Sequence, residues 1–126
     1  MNTPSLSGIG QVSLIAHDLE RATAFYRDIL CLEFLFSAGG MSFFNVNGIR
    51  LMLGPSGGNF EHGSSVLYYR VAEIGREHER LLAAGVRVLE APREIFRQQG
   101  HALWLAFYAD SEGNAFSLME EKGGLE

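Results

Sequence analysis

The sequence predicts an α+β protein: two paired βαβββ modules, with curled sheets around a central cavity and the helices outside. Two observations predict it. One order of elements, a strand, a helix and three short strands, runs through residues 12–53 and again through 66–119. Identity between the halves is low, so the pattern repeats and the letters do not. The other observation is size. Each half has about 55 residues, too few to bury a comfortable core alone. The halves should therefore pack about a pseudo-twofold axis, and the face between them is the natural cavity. Residues 1–126 are expected to form a single domain made of repeats 8–56 and 62–121.

Each element has its own signal. Val12–Ile15 opens as a strand. Asp18–Leu30 reads as a helix, with Leu19, Ala22, Phe25, Tyr26, Ile29 and Leu30 recurring at three- and four-residue steps on one face. Asp18 suits the N-cap, where its short carboxylate can accept backbone N–H bonds. Strands follow at Glu33–Ser37, Met41–Val46 and Ile49–Leu53, separated by Gly39-Gly40 and Asn47-Gly48 turns. The stretch Gly54–Ser64 reads as the linker. The second half reads Val66–Val71 as strand and Ile74–Ala84 as helix, which Gly85 is placed to end in a left-handed conformation. The last strands are Val86–Glu90, Ala102–Tyr108 and Ala115–Met119, and a short tail after Glu121 is expected to fray.

Composition sets limits on function. The chain is 47% hydrophobic and 20% charged, with a formal charge of -5, a single lysine (Lys122) and scattered arginines. That balance disfavours a nucleic-acid partner, which rewards clustered cations. No apolar run is long enough to span a bilayer, and the N-terminus shows no secretory signal, so no membrane partner and a cytoplasmic location are expected. Cys31, the only cysteine, permits neither an internal disulfide nor a cysteine-rich zinc site. Gly54 to Gly58 lacks the Lys-Ser/Thr of a phosphate loop and reads as a turn.

Two segments carry a family resemblance. Gln11 to Leu30 resembles the opening of the vicinal oxygen chelate superfamily, which includes glyoxalase I, bleomycin-resistance proteins, epimerases, fosfomycin-resistance enzymes and extradiol dioxygenases. Ala106 to Asn114 resembles that family's Asp-Pro-x-Gly-Asn turn, with Ser111 in place of the proline. Cys31 stands where a glycine commonly follows the first helix. The resemblance spans about residues 8–121 and speaks to fold more than to reaction, since one fold hosts many chemistries. It implies a divalent metal that binds two adjacent substrate oxygens, held by His, Gln or Glu on four strands. The matching positions here are Gln11, Met52, Val66 and Ser117. Gln11 is a residue type some members use. Met52 is a soft donor, Val66 is no donor, and a protonated serine hydroxyl is a poor ligand. No metal site and no cofactor are expected, a divalent metal being the less favoured alternative.

Strand parity nominates the other site residues. Gln11 and Ser13 alternate on the first strand, Arg50 and Met52 on the fourth, Tyr68 and Arg70 on the fifth, and Ser117 and Met119 on the last. On the seventh, His101 shares a face with Leu103, Leu105 and Phe107, and in the resembling family that face looks into the cavity. The wall so formed is apolar with a few polar heads, which suits a small organic ligand, including one whose carboxylate an arginine can grip. Arg50 and Arg70 could equally reach solvent or pair with Glu33, Glu90 or Glu94. His17, His62 and His78 read as surface or structural. His101 is the candidate base or hydrogen-bond partner. Trp104 and Tyr108 should pack beneath a helix, and Glu120 and Glu121 read as solvated charges.

Three functions follow. One is a metal-free binder of a small organic molecule. Another is a metal-dependent lyase, isomerase or dioxygenase of the same superfamily with an altered site. The third is a metal-free enzyme with His101 as its base. A homodimer is expected from the exposed sheet edges and from the prevalence of twofold pairing.

Overall fold

Each half of the chain builds one four-stranded sheet with a helix on one face. A computed structural model describes residues 5, 8–55 and 65–123. They fall into two units, Met1–Glu61 and His62–Glu126. His62 and most of the expected linker lie outside the described residues.

In the first unit β1 (Gln11–Ile15), β2 (Glu33–Ala38), β3 (Met41–Val46) and β4 (Ile49–Gly54) take the order β1-β4-β3-β2. In the second, β5 (Leu67–Arg70), β6 (Arg87–Gln98), β7 (His101–Ala109) and β8 (Ala115–Gly123) take the order β5-β8-β7-β6. In both, the first strand runs parallel to the last and the remaining neighbours are antiparallel. A parallel pair needs a long crossover. α1 (Leu19–Ala24) and α2 (Ile74–Ala83) lie within these crossovers. The class is α+β, with two mixed sheets that do not close into barrels.

α1 begins as its sequence asks. Asp18 Oδ1 accepts from the backbone N–H of Arg21 at 3.0 Å. The helix does not run on as a plain α-helix to Leu30, however. From Phe25 to Ile29 it widens into a π-helix, closed by the Leu30 N–H on the Phe25 carbonyl. The wider turn buries the neighbouring Phe25 and Tyr26 together, their rings meeting edge to face. Cys31 then adopts φ 60°, the left-handed conformation a glycine would take there without strain. α2 ends on a full Schellman motif: Val86 N–H bonds to Leu81 O, Gly85 N–H to Leu82 O, and Gly85 has φ 82°.

The helices cover one face of each sheet. Ala22, Phe25 and Tyr26 share the first unit's buried set with Phe44, Leu51 and Leu53. Ile74 and Leu81 share the second unit's with Ala106, Tyr108, Phe116 and Leu118. Each fully buried large apolar side chain contributes about 1.5–3 kcal/mol. Three hydroxyls fasten α1 to its sheet: Thr23 to Ser42 at 2.7 Å and Ser42 to Ser37 at 2.8 Å. The other face of each sheet, here the open face, carries the opposite parity.

Two strands outrun their sequence signals. β6 continues from Glu90 to Gln98, through Pro92 and two of the strand's three register shifts. A proline without an N–H is tolerated because β6 is an edge strand, and each bulge resets the alternation. β8 continues past Met119 to Gly123, so Lys122 and Gly123 pair with β7 rather than fray.

Candidate functional site on the open sheet faces

In the first unit Gln11 and Arg50 are ladder partners, as are Ser13 and Met52. Gln11 Nε2 approaches Met52 Sδ at 3.9 Å. Arg50 lies over the Phe43 ring, 5.9 Å from its centroid, and Phe43 stacks on Phe36 at 4.7 Å. Phe36 is 47% exposed. The sequence-predicted trio Gln11, Arg50 and Met52 thus occupies one face, with an aromatic pair that parity across the β2 bulge had concealed.

In the second unit Ser117 stands between Tyr68 on β5 and Phe107 on β7. The two rings meet edge to face at 5.9 Å, and Ser117 is fully buried. Its hydroxyl donates to Ala106 O at 2.8 Å. Along β7, Leu105 opposes Met119 and Leu103 opposes Glu121, so the apolar row continues to His101 at the end of the ladder. Tyr68, Arg70, His101, Leu103, Leu105, Phe107 and Ser117 therefore share the open face of this unit.

Sequence reasoning missed the hub of that face. Glu121 is exposed, as expected of a surface charge, but it does not stand alone: Oε1 lies 3.6 Å from Arg70 and Oε2 lies 3.7 Å from His101 Nε2. Arg70 pairs with this carboxylate, not with Glu33, Glu90 or Glu94. Glu120, on the other face, accepts the Ile74 N–H at 2.8 Å and so caps α2. Had β8 been extended four residues, period two would have placed both glutamates.

The remaining residues are structural. His78 Nδ1 bonds the Tyr108 hydroxyl at 2.8 Å, beneath α2. Burial pushes the Tyr108 phenol up to about 12. Trp104 shares that face but takes the Lys122 ammonium over its ring at 4.4 Å. His17 is exposed. Asp110 ties its turn by accepting from the N–H groups of Glu112 and Asn114, both at 2.8 Å. A surface groove of about 410 Å³ at the start of α2 is lined by Ala72, Glu73, Arg76, Glu77 and Arg80 and includes no open-face residue.

Residues 8–118 match the glyoxalase/bleomycin resistance protein/dioxygenase superfamily. The chain belongs to this superfamily. No curated protein matches it. Among solved structures, an antibiotic-binding protein from a Streptomyces species is 21% identical, with a TM-score of 0.76 over 94% of this chain and 98% of that one. A fosfomycin resistance protein from Listeria monocytogenes is 24% identical, with a TM-score of 0.71 over 95% and 96%. Lactoylglutathione lyase from Agrobacterium tumefaciens is 23% identical, with a TM-score of 0.67 over 90% and 93%. At such identities the likeness is one of fold.

A hard divalent cation calls for charged or imidazole donors, and the residue types at the four positions the resemblance implies do not suit one. Met52 offers a thioether and Val66 no donor. The Ser117 hydroxyl is committed to a backbone carbonyl and closed off by two rings. Among the described residues no group of three or more His, Cys, Asp or Glu side chains is arranged to hold a metal. Nor is any helix among them long and apolar enough to cross a membrane.

Proposed function

We propose that this superfamily member binds a small organic molecule on its open sheet faces, without the divalent metal that the family resemblance implies. The observation that carries the reading is the character of those faces. The first unit's face presents the exposed Phe36 beside Gln11 and Arg50, and the second unit's presents the exposed Tyr68 and the half-buried Leu103, Leu105 and Phe107 beside Arg70 and His101. That mixture suits a largely apolar ligand with one or two polar groups. The unsuitable donors at Gln11, Met52, Val66 and Ser117 support the metal-free part. The two modules act as one domain in this reading, and the active form is a homodimer, which sedimentation at micromolar concentration tests.

A thermal-shift screen of small organic molecules, run with and without EDTA, tests the function. A ligand at a hundredfold excess over its Kd should stabilise the protein by about 2.7 kcal/mol, equally in both arms. A ligand whose effect vanishes with EDTA would favour the metal-dependent lyase, isomerase or dioxygenase instead.

A further inference from the structure

The polar end of the second unit's open face holds an arrangement that neither the fold nor the family explains. His101 is only 15% exposed in its side chain. Its Nε2 faces the Glu121 carboxylate at 3.7 Å, and its Nδ1 is closed off from water with no hydrogen-bond partner. A neutral imidazole carries one proton, on one nitrogen or the other. A proton on Nδ1 would leave a buried N–H without an acceptor, and buried orphan donors are rare. A proton on Nε2 would face an anionic acceptor. Both considerations select the same tautomer. Arg70 lies 3.6 Å from the other carboxylate oxygen, so the carboxylate stands between the guanidinium and the imidazole.

We infer that Glu121 is a positioning residue that holds His101 as the Nε2–H tautomer, leaving Nδ1 as an acceptor for a hydroxyl or N–H group on the ligand. The inference rests on the binding reading above and narrows it: the ligand brings a hydrogen-bond donor to the end of the apolar row, not a bare carboxylate. Nδ1 is closed off in the structure, so a ligand reaches it only by displacing a neighbour, and Phe96, 45% exposed with its ring 6.0 Å from the imidazole, is one such neighbour. His101 would then resemble imidazoles whose second nitrogen is fixed by a carboxylate, an arrangement that sets which nitrogen does the work.

Long-range proton–nitrogen NMR of the full chain at neutral pH reads the tautomer directly. The wild type should show a protonated Nε2 and a bare Nδ1. Glu121→Gln, which keeps the shape but removes the charge, should shift the population towards the other tautomer, and Glu121→Asp should restore part of it. Phenol and its methyl ether, anisole, then serve as probes with and without a donor. Phenol should move the His101 Nδ1 signal, whereas anisole should move only the signals of Leu105 and Phe107. A protonated Nδ1 in the wild type, or a tautomer indifferent to Glu121→Gln, overturns the inference. So does an equal response of Nδ1 to both probes, while the binding reading survives. If neither probe perturbs the open face, both the acceptor role and the binding reading fall.

Discussion

Ser42 links α1 to its sheet, and its removal has a calculable effect. The Thr23 hydroxyl lies 2.7 Å from the Leu19 carbonyl, which can only accept, so Thr23 donates there. Thr23 must then accept from Ser42 at 2.7 Å, and Ser42, its one proton used, must accept from Ser37 at 2.8 Å. The chain of three hydroxyls has one direction. Ser42→Ala breaks two of its bonds. Ser37 is exposed and recovers a bond to water, but the Thr23 lone pair is left buried and unpaired. At about 1 kcal/mol per net bond plus part of a desolvation penalty, the loss should be about 1–2 kcal/mol. Urea denaturation followed by circular dichroism measures it. Thr23→Val removes the same link from the other side, so the double variant should lose less than the sum of the single ones, with a coupling of about 0.5–1 kcal/mol. A loss under about 0.5 kcal/mol, the level of an ordinary surface substitution, would refute the directional chain. Strict additivity would refute it too.

Two further outcomes are expected. Cys31→Gly removes a side chain from a left-handed residue at φ 60° and should stabilise the protein by up to about 1 kcal/mol, read as a higher midpoint in the same urea experiment. Stability should be unaffected by the Tyr108 phenol below its ordinary pKa of 10 and should fall as pH rises from there to about 12, because the unfolded chain ionises first. Tyr108→Phe should flatten that decline in alkaline denaturation curves, while Tyr69, also raised by burial and by the Asp110 charge, keeps the remainder.

Much of this was legible in the sequence, for reasons tied to particular residues. The α1 cap at Asp18 and the α2 stop at Gly85 are local devices, so their residues announce them. The open-face parity of Gln11, Arg50, Met52, Tyr68 and Arg70 follows from a period of two. The π-helix was hidden because Phe25 and Tyr26 fit an α-helical face nearly as well; the wider turn is chosen by packing. The length of β6 was hidden because Pro92 and three bulges erase its alternation. Glu121 was hidden because a run of charges near the end of a chain reads as solvated. Only the pairing of β8 with β7, out to Gly123 opposite His101, shows that the ladder continues and that this carboxylate faces Arg70 and the imidazole.

Native mass spectrometry of the freshly purified, dialysed full chain tests the central claim, that this superfamily member binds an organic ligand without a metal. The account predicts the mass of the chain alone or with an organic adduct, and no stoichiometric metal. One Zn, Ni, Mn or Fe per chain, retained through dialysis and lost on Gln11→Ala, would contradict it.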